Sequence, residues 1–248
     1  CRNKEFLIDF RDDIANKQSV RECIFATKPD FIFHLAAQPL VRTSFHKPLE
    51  TIKTNAFGTV NILDSLLTYK DKVVVVFITS DKVYDNVEWY WGYKETDTLG
   101  GKDPYSGSKA MAEIAIKSYF HSFFKLNEFV SLGIGRAGNV IGGGDWSPDR
   151  IVPDCILRWS NNEVLNIRNP NSTRPWQHVL EPLSGYLALA TSLYNSKENH
   201  GEAFNFGPPS DSNYSVKDLV EEMSKSWKNK LWQQETSLEI NKEASLLK

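Results

Sequence analysis

With 248 residues, 41% hydrophobic and 24% charged, the chain reads as globular, with room for one large domain or two interleaved lobes. Its 29 Lys and Arg against 31 Asp and Glu leave a net charge of −2, so no overall field draws it to nucleic acid or to an anionic membrane. No apolar run nears the roughly 20 residues that span a bilayer, and the first residues do not read as a signal peptide.

Taken in order, "KEFLID" reads as a strand and "SVRECIFAT" as a helix. "DFIFHLAA" is a second strand, emerging into small residues. In "NAFGTVNILDSLLTY" the residues Ala56, Val60, Leu63 and Leu67 fall on one helical face. "VVVVFITS" is a continuous apolar strand that surfaces into Ser80, Asp81 and Lys82. "PYSGSKAMAEIAIKSYFHSFF" is helical, and "EFVSLGIGRAG" is a further strand.

After Ile141 the character changes. "GGGDWSPDRIVPD" reads as a loop, "VPDCILRWSNN" as a short helix and "NIRNPNSTRPW" as polar connection. "VLEPLSGYLALATSLY" is helical, "EAFNFGPPS" is a strand and turn, and "SVKDLVEEMSKSW" is a helix with Ser215 as N-cap.

Apolar strands alternating with helices predict an α/β fold, a Rossmann-like doubly wound parallel sheet with a smaller α+β lobe. Residues 1–140 and 174–203 are assigned to the sheet domain, and 141–173 and 204–248 to the smaller lobe. Both ends read as cut, so the sheet's first strand and its glycine-rich loop would precede residue 1. Cys1, Cys23 and Cys155 lack metal-ligand spacing and read as ordinary thiols of a reducing compartment, which points to the cytoplasm.

Parallel sheets bind ligands at the carboxyl ends of their strands, where Ser80, Asp81 and Lys82 fall. Tyr-x-x-x-Lys occurs twice, and on a helix this spacing puts the ammonium beside the phenol, lowering its pKa towards working pH. Tyr90 and Lys94 lie in loop sequence. Tyr105 and Lys109 follow Asp103-Pro104, an N-cap and first-turn signature, and are the chosen pair, against the plain reading of a surface Tyr beside a Lys. Gly133, Gly135 and Gly138 match G-x-G-x-x-G, but "NVIGGGDW" cannot start the helix that a dinucleotide loop requires. Ala36 and Ala37 either let a flat cofactor approach the backbone or serve tight strand–helix packing. Asp9 either bonds an adenine or caps the next helix.

In "FHLAAQPLVRTSF", "TSDKVYDNVEWYWGYKETDTLGGKDPYSGSK", "RAGNVIGGGDWSPDRIVPD" and "STRPWQHVLEPLSGYL" the chain resembles the extended short-chain dehydrogenase/reductase family over nearly its whole length. The resemblance narrows to the nucleotide-sugar 4,6-dehydratases, and among them to those acting on CDP-glucose. It implies an NAD-dependent lyase that oxidises C4 of the sugar, eliminates water across C5–C6 and returns hydride to C6.

The resemblance also implies roles for single residues. Tyr105 takes the 4-hydroxyl proton, Lys109 holds the ribose and lowers the phenol pKa, and Ser80 bonds the 4-oxygen. Asp81 protonates the leaving hydroxyl, and Lys82, where dTDP-glucose relatives carry Glu, removes the C5 proton. NAD contacts are implied for Asp9, Phe10, Leu35, Ala36, Ala37, Asn55, Thr79, Tyr105 and Lys109. Substrate contacts are implied for Asn139, Arg150, Arg174 and His178, with Arg174 on the pyrophosphate. "NAFGTVNILDSLL" and the Tyr105 helix resemble the helices of a four-helix dimer interface, so a homodimer or higher homo-oligomer is expected, with no nucleic acid, membrane or metal partner. Another nucleotide-sugar dehydratase, a 4-epimerase or a non-catalytic sugar-nucleotide binding protein stay open as alternatives.

Overall fold

The computed structural model describes residues 7–209, 212, 214–227 and 231–235. In chain order, α1 (Lys17–Thr27) leads to β1 (Phe31–His34), and α2 (Val41–His46), α3 (Pro48–Ile52) and α4 (Gly58–Leu66) lead to β2 (Val73–Ile78). Then come α5 (Pro104–Tyr119), β3 (Val130–Ala137), β4 (Val140–Ile141), α6 (Ile151–Ser160), β5 (Leu165–Ile167), β6 (Thr173–Arg174) and β7 (Gln177–His178). The described chain closes with α7 (Leu180–Asn195), β8 (Ala203–Phe206), β9 (Tyr214–Ser215), α8 (Val216–Ser224) and β10 (Trp232–Gln234).

The main sheet has the order β1-β2-β3-β8 with every pairing parallel. Its period-two alternation divides the core. Val73, Val75 and Phe77 of β2, with Val130, Leu132 and Ile134 of β3, face α1, α4 and α5. Val74 and Val76 face Tyr186, Leu189, Ala190 and Leu193 of α7. The sheet is therefore covered on both sides, which is why β2 reads as an unbroken apolar run. A third cluster, Cys155, Trp159, Leu165, Ile167 and Val220, joins α6, β5 and α8. Ser215 caps α8 in a reciprocal box with Asp218, as the sequence predicts. No helix of the described residues is long and apolar enough to cross a membrane.

Four expectations need correction. Residues 7–9 of the predicted "KEFLID" strand form no strand. Leu7 and Ile8 are exposed, and among the described residues β1 pairs only with β2. Lys4, Glu5 and Phe6 lie outside the described residues, as does Cys1. The buried stripe around α4 runs through Thr59, Ile62, Leu63 and Leu66, while Val60 and Leu67 are half-buried. The stripe follows the packing against α1 and α5, and it buries hydroxyls that an apolar count overlooks. The loop after Ile141 ends at Arg150, because Ile151 to Asp154 already belong to α6. Phe204 to Phe206, assigned to the smaller lobe, pair with β3 in the main sheet.

The glycines of "GIGRAG" serve packing rather than a phosphate. A Cβ on Gly133 would meet Leu193 at 3.0 Å, and one on Gly135 would meet Tyr186 at 2.8 Å. They let α7 lie close against β3.

Candidate active site

The site grows from the carboxyl ends of β2 and β3 and the first turns of α5. As β2 surfaces, Ser80 takes extended backbone and its hydroxyl accepts from the Lys82 amide, starting a tight turn over Asp81–Val83. Across from it Asp103 caps α5 by accepting from the Ser106 amide, and Pro104 occupies the first helical position. Tyr105 therefore enters on the buried face, with Lys109 one turn later on the same face.

Ser80 links the two elements. Its hydroxyl donates to Asp81 Oδ1 at 2.9 Å, and its influence on the Tyr105 phenol is to lower that group's pKa. The phenol is pushed up to about 12, chiefly by burial, with Ser80 and Arg150 opposing and the Asp81 and Asp103 carboxylates adding to the rise. Burial likewise raises the Asp81 carboxyl above the usual carboxylate range, against the opposing pull of Lys82, Ser80 and Arg174. Its Oδ2 is shielded from solvent and has no hydrogen-bond partner. A Cβ on Gly138 would meet that oxygen at 3.1 Å, so the glycine leaves room for the carboxyl. The Lys82 ammonium stands 6.0 Å from the Tyr105 ring centroid. Burial pulls the Lys109 amine down to about 8, with Glu113 opposing, and its one hydrogen bond among the described residues runs to the Ile78 carbonyl at 3.3 Å.

Ser80, Asp81, Lys82 and Tyr105 open onto a cavity of about 600 Å³, whereas Lys109 lies behind them and does not line it. Ser80, Asp81, Lys82, Tyr105, Thr79, Asn139, Arg150 and Arg174 all line it, so eight of the sequence-predicted site residues converge. Other predicted residues lie elsewhere. His178 is exposed on β7, does not line the cavity, and accepts from the Leu180 amide. Asp9 is bound to Arg11 at 2.8 Å and Phe10 is exposed. Leu35 and Ala36 are exposed and Ala37 half-buried just beyond β1. Asn55 is spent on structure, as its amide exchanges bonds with the Gln38 backbone and donates to Ser108. The Thr79 hydroxyl donates to Glu113.

Sequence reasoning missed Trp176, Tyr186, Arg42 and Asp149, all of which line the cavity. Five buried side-chain polar atoms among the described residues have no hydrogen-bond partner, and three belong to cavity residues: Asp81 Oδ2, Trp176 Nε1 and Arg150 Nε, the last ion-paired with Asp145 at 3.7 Å. Such atoms mark where a polar ligand would complete the bonding. Tyr186 comes up from α7, and burial together with nearby Tyr105 pushes its phenol to about 12. At the mouth, Arg42 reaches Asp149 at 2.7 Å, joining segments 107 residues apart. No local spacing announces these contacts.

A model of the GDP-mannose 4,6 dehydratase family matches residues 3–246. The chain is 47% identical over 219 residues to a protein of Salmonella typhimurium named CDP-glucose 4,6-dehydratase, a match covering 87% of this chain and 61% of that one. The chain thus spans about three fifths of that relative's length. Among solved structures it is similar to Pal from Bacillus thuringiensis, with 26% identity, a TM-score of 0.81, and 95% and 72% of the two chains covered. It also shares the fold of a dTDP-glucose 4,6-dehydratase from Bacillus anthracis in complex with NAD, at 20% identity and a TM-score of 0.80, covering 99% and 71%.

Proposed function

The chain belongs to the GDP-mannose 4,6 dehydratase family, and from that membership we propose that it is an NAD-dependent hydro-lyase converting CDP-D-glucose to CDP-4-dehydro-6-deoxy-D-glucose. The observation that carries this reading is the convergence of Tyr105 and the bonded pair Ser80–Asp81 on one cavity. Epimerisation at C4 needs proton handling at the 4-oxygen alone. Elimination needs a second acid for the departing 6-hydroxyl, and a carboxyl raised by burial with an unpartnered oxygen suits that task. The CDP base is supported by the Salmonella typhimurium relative and by Lys82.

The residues present fit a nicotinamide cofactor. Lys109 is a buried ammonium with donors to spare at the end of β2, and Ala36 and Ala37, just beyond the carboxyl end of β1, carry no bulk. NAD, when bound, would supply a carrier that accepts the hydride of C4 and gives it up to C6. The chain does the proton work. Tyr105 takes the proton of the 4-hydroxyl, Ser80 bonds the same oxygen, and a charged Lys109 stabilises the phenolate. Lys82 removes the C5 proton, made acidic by the neighbouring ketone, and Asp81 donates to the oxygen leaving C6. Arg174, Arg150, Asn139 and Trp176 hold the diphosphate and sugar as donors.

Incubating the full-length protein with CDP-glucose is expected to yield a 4-keto-6-deoxy sugar nucleotide that absorbs near-ultraviolet light in alkali. A product epimeric at C4 and lacking that absorption overturns the dehydratase reading, and preference for a UDP- or dTDP-sugar overturns the base. This reading carries a cytoplasmic location, where Cys23 and Cys155 remain thiols.

We also propose that two copies pair through α4 and α5, where Met111 and Ile114 of α5 stand exposed, with exposed Phe57 just before α4 and Phe123 just after α5. Ile114→Asp is expected to leave a monomer by light scattering, where the parent is at least a dimer.

A further inference from the structure

Beneath the catalytic string lies a buried ion pair that none of these proton transfers uses. Glu113 of α5 and Arg136 of β3 are both wholly inaccessible. On the α5-facing side of β3 the apolar series Val130, Leu132, Ile134 ends in Arg136, and on α5 Glu113 falls one turn beyond Lys109 and two beyond Tyr105.

The pair ties the site together. Glu113 accepts from Arg136 Nε at 2.8 Å and from the Thr79 hydroxyl at 2.6 Å, binding α5 to the residue that precedes Ser80. Arg136 donates onward to the Tyr84 hydroxyl at 2.7 Å and to the Glu95 carbonyl at 3.1 Å. Tyr84 stacks on Tyr93 and donates to Asn205 of β8. The segment 79–84 is thus fixed at both ends by one network. Burying two charges is costly, and a well-packed apolar pair often holds a fold equally well. A role beyond stability is the reason to look further.

We propose that Glu113 and Arg136 are positioning residues, holding the Ser80–Lys82 turn against α5 and keeping Lys109 charged beside Tyr105. The inference rests on the roles given above to Tyr105 and Lys109. The titratable groups that face Lys109 are Tyr105 and Glu113, one turn either side on its own helix, and His34 on β1, while Arg136 of β3 bonds Glu113. Burial and Lys109 pull the His34 imidazole down to about 4, so it stays neutral at working pH. Glu113 is the group that opposes the desolvation of Lys109. Without it Lys109 loses its proton at lower pH, and Tyr105 then ionises at higher pH.

The test compares the parent with Glu113→Gln and with the double variant Glu113→Leu, Arg136→Met. Urea unfolding is expected to show E113Q weakened by an uncompensated buried guanidinium and the double variant recovering most of the loss. Two functional readouts are expected to stay displaced in both. The pH midpoint for carbamylation of Lys109 by cyanate, followed by peptide mass spectrometry, falls by about one unit, and the rising limb of kcat against pH moves up by about one unit. KM for CDP-glucose stays within about twofold, because the pair touches no substrate. A double variant with recovered stability and parental values for both overturns the proposal and leaves the pair a structural one. The cyanate readout needs no turnover, so a protein inactive on CDP-glucose refutes the function proposed above while this inference is still decided by the midpoint.

Discussion

Tyr105→Phe is expected to lower kcat about 10³-fold with KM changed less than about threefold, within the range that a positioned base contributes. Phenylalanine fills the same buried volume on α5, so the fold and the cavity wall persist while the phenol oxygen is removed. The size of the loss follows from how strongly the phenol is placed. Burial, with the Asp81 and Asp103 carboxylates, raises it to about 12 against the pull of Ser80 and Arg150, so it is a strong base once ionised but is seldom ionised at neutral pH. A charged Lys109 beside it reverses part of that penalty. Turnover in the parent is therefore expected to rise with pH as the phenol ionises, and the residual rate of the variant to lose that rise. Steady-state kinetics across the pH range check both. A variant within about fivefold of the parent would remove Tyr105 from its role.

Asp81→Asn is expected to cost about 10²-fold in overall turnover while sparing the first oxidation. The amide preserves shape and still accepts from Ser80, but it has no acidic proton to give the oxygen departing from C6. In a single turnover the near-ultraviolet band of reduced nicotinamide is expected to form at close to the parental rate and then persist, since elimination must precede hydride return. The pH dependence has a definite sign. Burial raises the Asp81 carboxyl, so its acid form survives above the usual carboxylate range, and the elimination step, followed in a single turnover as the decay of the reduced-nicotinamide band, slows as pH climbs through that raised value. In the variant this particular slowing is absent. A band that never forms would move Asp81 into the oxidation step.

How much of this was legible beforehand varies with the range of the interaction. β2 and β3 announced themselves as apolar runs because both sheet faces are covered, and α5 because Asp103-Pro104 is a local start signal. Ser80, Asp81, Lys82 and Tyr105 were found because strand ends and helical spacing are short-range patterns. The buried stripe around α4 was misplaced because Thr59 is buried by bonding His34 and the Asn55 carbonyl, which hydrophobicity does not register. His178 was assigned to substrate on likeness alone, and its position on an exposed short strand follows from pairing with β4. Asn55 looked available because nothing near it in the chain reveals Gln38 and Ser108 as its partners. Glu113 and Arg136 did leave a trace, as a lone Arg within a buried strand and a lone Glu on the inward face of a helix. The pairing between them, 23 residues apart, needed coordinates.

The placement of Ser80 has an evolutionary consequence. One hydroxyl answers to two proton carriers, so no exchange at position 80 can retune oxidation and leave water loss untouched. Natural variation that changes the reaction outcome should therefore accumulate at 81 and 82, while the residue between phenol and carboxyl stays a small alcohol. A descendant of this scaffold that merely inverts C4 would be recognisable by a neutral side chain at 81 beside an unaltered serine or threonine.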